Sequence, residues 1–231
     1  AGESCAVIAS ASMGKTRLLE FLMRPDVQQY YLKTPTPDVL FLRVDLNRIR
    51  QASEWGLYEL LLTVIVEGCD ENVKARPLRK TFNDLREPAI LRENSLLALR
   101  HLELAVRTLV RDINLKLVFI IDEFDNLYSK LPAIALANLR ALRDAQKYWV
   151  CYALFLRNPL ETLRNLEDYE SFYELFSRYQ FRLGPYTKID AERVLRQILE
   201  RRKQALSLQA QNELLSWSGG HPGLMTALYD V

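Results

Sequence analysis

The stretch Ala9-Ser10-Ala11-Ser12-Met13-Gly14-Lys15-Thr16 decides the fold. Its spacing is that of a phosphate-binding (Walker A) loop, in which two glycines bracket four residues and a Lys and a Ser or Thr follow, with Ala9 in the place of the first glycine. The chemistry of such a loop is anion binding. Backbone N–H groups wrap the phosphates, the positive end of the following helix faces them, and the lysine adds a point charge. Residues 9–16 and the adjoining Arg17 therefore form the expected nucleotide-binding set. Within it Lys15 reaches the β and γ phosphates and Thr16 offers its hydroxyl to Mg²⁺. Ala9 suits the loop if its φ is negative; at positive φ its methyl group would crowd it.

The flanks supply the context that the loop needs. Ser4-Cys5-Ala6-Val7-Ile8 reads as a buried strand, and Arg17-Leu18-Leu19-Glu20-Phe21-Leu22-Met23 has apolar residues at helical spacing. Further along, Leu115-Lys116-Leu117-Val118-Phe119-Ile120-Ile121-Asp122-Glu123 is an almost continuous apolar strand ending in two carboxylates, the Walker B pattern. An unbroken apolar run is what a central parallel strand, buried on both faces, requires. Ligand chemistry gathers at the C-terminal ends of such strands, which makes Asp122 a metal-binding residue for Mg²⁺ and Glu123 the base that orients or deprotonates the attacking water.

At 231 residues and 49% hydrophobic content the chain can bury a substantial core, enough for one α/β domain with a small appendage. Lys and Arg total 31 against 29 Asp and Glu, and a net charge of +2 gives no general attraction to nucleic acid or anionic membrane. The cysteines, Cys5, Cys69 and Cys151, form no CxxC pair, and the only histidines are His101 and His221, so the ligand inventory argues against a zinc site and for a reducing, cytoplasmic setting. No apolar run approaches the roughly 18 residues that would span a membrane.

Between the two motifs, Thr34-Pro35-Thr36-Pro37 marks a loop and Val39-Leu40-Phe41-Leu42-Arg43-Val44 a second strand. Ser53 is an N-cap for a helix from about Glu54 to Val66 with Gly68 as its stop, although Leu60 to Val66 alone also fits a strand. From Asp70 to Glu87 charge rises and periodicity fades, the pattern of an insertion or long loop. Asn94 or Ser95 opens a helix to about Arg111. Pro132 opens another, Trp149 to Leu156 is a further strand with Arg157 directly after it, and Tyr179 to Leu183 is the last strand. Arg157 is placed either to sense the γ phosphate or as a surface residue; Arg178 reads as a solvated residue or as an arginine finger for a neighbouring subunit. Beyond Gly184-Pro185 the pattern is helical throughout, at about 190–205, 207–217 and from Pro222. This divides the chain into a nucleotide-binding core, 1–184, and a helical lid, 185–231. Thr187-Lys188-Ile189-Asp190 resembles the guanine-specifying tetrad of GTPases but reads as a helix cap, and Asp125 stands where GTPases usually place glycine, so adenine is the expected base.

Taken together, the loop ending Gly14-Lys15-Thr16, the strand ending Asp122-Glu123, Arg157 and Ser218-Gly219-Gly220-His221-Pro222-Gly223-Leu224 resemble the STAND branch of the AAA+-related P-loop ATPases. The resemblance implies a three-layer sandwich with a parallel five-stranded sheet in the order 5-1-4-3-2 and a small C-terminal lid. It also implies ATP or ADP with Mg²⁺ as ligands, Pro222 packed near the adenine or ribose, Lys15, Glu123 and Arg157 as the catalytic set, and a switch that forms homo-oligomers when ATP is bound. It places an adenine-holding segment upstream of Ala1 and a winged helix, with sensor or effector domains, beyond Val231. Three functions follow: a slow ATPase switch for an unknown protein partner; an AAA+-like loader or motor on DNA, using Arg140, Arg143, Lys147, Arg201, Arg202 and Lys203; or a scaffold that binds nucleotide without hydrolysing it. The first is the expectation, with DNA as the less favoured partner.

Overall fold

A computed structural model of the chain describes residues 2–32, 38–49, 52–164, 170–203 and 205–230. The loop expected at Thr34 to Pro37 lies outside these residues. Five strands, β1 (Cys5–Ile8), β2 (Val39–Asp45), β3 (Lys116–Asp122), β4 (Val150–Leu156) and β5 (Gln180–Arg182), form one sheet in the order β2-β3-β4-β1-β5, with every pair parallel. Read from the other edge, this is the expected order 5-1-4-3-2.

The strand sequences explain the layering. Side chains alternate between faces along a strand, and the apolar clusters divide in that rhythm. Val7, Ile120 and Phe155 pack with Leu19 of α1 (Lys15–Met23) on one face. Their neighbours Ala6 and Ile8, Phe119 and Ile121, and Leu154 and Leu156 join the large core on the other. That core is closed by α3 (Glu54–Glu71), α4 (Arg79–Arg92), α5 (Ser95–Arg107), α7 (Ala133–Ala145) and α8 (Glu170–Ser177). A third cluster of Ala191, Leu195, Leu214 and Met225 joins α9 (Lys188–Arg202), α10 (Leu208–Ser218) and α11 (Pro222–Tyr229). Among the described residues no helix is long and apolar enough to cross a membrane.

Several local expectations are corrected. Gly68 does not stop the helix capped by Ser53, and 60–66 is not a strand: α3 continues to Glu71. The glycine serves packing, because a Cβ there would lie 2.5 Å from Leu42 Cδ2. Residues 70–87 are not a long loop either. They finish α3, make a turn at Arg76–Leu78 and begin α4. The apolar signal is thin because α4 buries only Phe82 and Ala89, and its charges are answered by other elements: Arg79 pairs with Asp70 at 2.8 Å and Arg86 with Glu59 at 3.2 Å. Three short helices have no counterpart in the sequence reading, namely α2 (Pro25–Tyr31), α6 (Phe124–Tyr128) and α8. The cap at Thr187 is as expected, with its side chain accepting from the Asp190 N–H at 3.3 Å.

Candidate nucleotide site

The loop between β1 and α1 is built by two left-handed residues, Ser12 (φ 59°) and Gly14 (φ 91°). A Cβ at Gly14 would meet no atom within 4 Å, so the backbone angle is what calls for glycine there. Ala9 is absent from the positive-φ residues; it is buried, and its N–H donates to Leu156 O at 3.0 Å. The alanine thus continues the sheet edge, and its methyl group is accommodated. Lys15 is 8% exposed, and its Nζ donates to the carbonyl of Ala9 and, at 3.1 Å, to that of Ser10. Burial, then the nearby Arg157 charge, hold its ammonium below the usual lysine value; Asp125, Asp122 and Glu123 pull the other way.

The two carboxylates of the Walker B strand sit at the same edge. Asp122 ends β3, and its Oδ1 accepts from the Glu123 N–H at 2.9 Å; burial is the main cause that raises its carboxyl above the ordinary 3.8. Glu123 itself is left-handed (φ 52°) and caps α6. Such a conformation is uncommon for a residue with a Cβ. It turns the chain sharply after β3 and leaves the Glu123 side chain at the cleft. Arg157, one residue past β4, meets it there: Nη2 lies 2.5 Å from Glu123 Oε1.

The sequence reading used Asp125 only as an argument against guanine nucleotides, yet it is the best-anchored carboxylate of the group. It is 8% exposed. Its oxygens accept from the Arg157 N–H, both at 2.9 Å, and Oδ1 accepts from the Asn158 N–H at 2.8 Å. The acidic Asp-Glu-Phe-Asp run carried a hint of it, but the partners lie more than 30 residues away in sequence.

A cleft of about 590 Å³ runs from the loop to the helical segment, within the usual size of a small-ligand pocket. Ala11, Ser12, Gly14, Lys15, Thr16, Arg17, Glu123 and Arg157 line it from the sheet side, and Tyr186, Val194, Gln197, Ile198 and Pro222 from α9 and α11 and the approach to them. Lys15, Arg17, Arg157, Arg201 and Arg202 face it, with Glu123 the one acid among its lining residues. That is the charge a polyphosphate needs. Of the expected nucleotide-binding residues, Ala9, Ser10 and Met13 do not line it, and Asp122 lies behind Glu123.

The helical segment touches the loop directly. A Cβ on Gly223 would stand 2.5 Å from Ser12 Cβ, and His221 holds this turn by accepting from the N–H groups of Gly223 and Leu224 through Nδ1, at 3.1 and 3.3 Å. Half of the basic positions offered for DNA are engaged in ion pairs. Arg140 pairs with Asp144 and Glu174, and Arg143, 6% exposed, with Glu3 and Asp144; only Lys147, Arg201 and Lys203 among the six have no ion pair within the described residues. Arg178 is exposed and lies over the Tyr179 ring at 5.3 Å.

No family model matches the chain, and no curated protein matches it by sequence. Its architecture does have solved counterparts. The ORC2 protein of Aeropyrum pernix in its ADP form superposes with a TM-score of 0.63 at 16% identity, over 98% of this chain and 55% of that one. The likeness is one of fold, the P-loop sandwich with a parallel five-stranded sheet. A Walker-type ATPase of Pyrococcus abyssi gives a TM-score of 0.59 at 15% identity over 96% and 60% of the two chains. The Aeropyrum pernix ORC1 protein, solved in complex with DNA, gives 0.57 at 14% identity over 96% and 51%. The chain therefore spans somewhat more than half the length of these solved proteins.

Proposed function

We propose that this chain is the ATP-binding and hydrolysing module of a nucleotide-controlled assembly that acts on DNA. The observation that carries the nucleotide reading is the convergence of Lys15, Thr16, Glu123 and Arg157 on one cationic cleft at the C-terminal edge of the sheet. The donor set fits a nucleotide triphosphate with Mg²⁺. Lys15, now donating to its own loop, would turn to the β and γ phosphates, and Thr16 and Asp122 would hold the ion, which neutralises charge on the phosphate oxygens. Glu123 accepts the proton of the attacking water, and Arg157 stabilises the charge that develops on the γ phosphate. Tyr186, Val194, Ile198 and Pro222 supply the apolar slot for an adenine base. Division into a core, 1–184, and a lid, 185–231, belongs to the same reading: closure of the lid over the loop follows nucleotide binding and favours homo-oligomers.

Between the signalling switch of the STAND type and the loader on DNA, the second has the better support. The similar folds include ORC proteins, and one of them was solved on DNA. Calorimetric titration of ATP and GTP with Mg²⁺, followed by DNA binding across a salt series, tests both parts. ATP-selective binding, weakened roughly 10- to 100-fold by Lys15→Ala through loss of a charged hydrogen bond, is expected. DNA affinity that falls steeply with salt and depends on ATP is expected for the loader. Absence of nucleotide binding would sink the whole reading; nucleotide binding without DNA binding would return the signalling switch to first place.

A further inference from the structure

We propose that Asp125 is a positioning residue for hydrolysis, acting through Arg157. This rests on the hydrolytic reading of the cleft and adds to it the device that fixes its two reacting side chains relative to each other. The end of β4 leaves two successive peptide N–H groups, those of Arg157 and Asn158, without strand partners, and one buried carboxylate takes both. Hydrogen bonds to an ionised acceptor are about twice as strong as neutral ones. A carboxylate held this tightly fixes the peptide from which the Arg157 side chain springs.

The circuit closes on itself. Glu123 and Asp125 are two residues apart on the turn from β3 into α6; Asp125 holds the Arg157 backbone, and the Arg157 guanidinium returns to Glu123 at 2.5 Å. Base and arginine, which belong to different strands, are thereby set in one rigid ring. A terminal cap for β4 alone would need no link to the segment that carries the base. Phe124 and Leu127, buried on either side of Asp125, keep α6 seated so that the ring cannot relax by moving the helix.

The test compares turnover and amide exchange in the wild type, Asp125→Asn, Arg157→Ala and the double variant. Asparagine keeps an acceptor at Oδ1 for both N–H groups but sets an NH₂ group at the Oδ2 position, against the Arg157 N–H. The expected result is a kcat roughly 10- to 100-fold lower in Asp125→Asn, the scale of a small misplacement, with the KM for ATP within about twofold. The double variant should be no slower than Arg157→Ala, since both changes remove the same interaction. Protection of both amides, read without nucleotide, should be present in the wild type, and that of the Arg157 amide should fall in Asp125→Asn. Additive losses in the double variant, wild-type turnover in Asp125→Asn, or fast exchange of both amides in the wild type would each overturn the proposal. A wild type that exchanges slowly there but does not turn over ATP would instead defeat the hydrolytic reading, and the proposed role with it.

Discussion

Asp122, proposed to hold Mg²⁺, sits half-buried at the end of β3 with a cost to folding. Its carboxyl is raised above 3.8 chiefly by burial, so the folded chain favours the protonated form. The contribution to stability is accordingly whole below 3.8 and is lost as the pH rises through the raised value; at neutral pH the buried charge is a cost. Asp122→Asn should raise the thermal midpoint at pH 7, with the gain vanishing near pH 4, while Mg²⁺-dependent nucleotide affinity falls. Midpoints measured across that range check it, and an unchanged or lower midpoint at pH 7 would contradict it. The carboxylate's place was readable from the apolar run that precedes it, and so were Lys15 and Glu123. Asp125 was not, because its meaning depends on two peptide groups at the end of β4 that no local pattern announces. The substitution at Ala9 was open in the sequence, and only the tether to Leu156 O shows why a methyl group is tolerated.

At the scale of elements, the helical C-terminal segment meets the loop between β1 and α1 at a contact with no spare room. Gly223 lies where a Cβ would come within 2.5 Å of Ser12 Cβ and 3.3 Å of Ser12 O, both parts of the loop between β1 and α1. Gly223→Ala should therefore lift α11 from the loop, weaken ATP binding roughly tenfold and leave unfolding by denaturant within about 1 kcal/mol of wild type, since the large core is untouched. Titration and denaturation on the same variant separate these effects; unchanged ATP affinity would mean that the contact plays no part in binding. Strong periodic segments such as the helix after the loop and the one opened by Pro222 were legible in advance. Helix α4 was hidden because it buries so little, relying on Phe82 and on ion pairs to Asp70 and Glu59 that a one-dimensional pattern does not show. Gly68 misled for the opposite reason: a residue that usually ends helices is there to let Leu42 approach.

For the molecule as a whole, the strand order follows from how the parallel sheet is wound: α1 packs on one face beside β1, and α3, α4, α5, α7 and α8 build the other. That winding brings the ends of β1, β3 and β4 together, so residues over 100 positions apart in sequence share one cleft with α9 and α11. Fold class and strand order could be expected from the two motifs and the family resemblance they carry. A DNA partner stood in the sequence only as the less favoured alternative, because the net charge is +2 and the basic positions that stand out include Arg140 and Arg143, which are tied into internal ion pairs. Hydrolysis of ATP in the cleft, with Glu123 as base, is the proposal on which the rest depends. Phosphate release under saturating ATP and Mg²⁺, compared between wild type and Glu123→Gln, tests it most directly. The account predicts measurable release by the wild type and a loss of roughly 10²- to 10⁴-fold in the variant, the usual worth of a general base, with ATP still bound. Equal release by the two proteins, or none from a wild type that binds ATP, would contradict it.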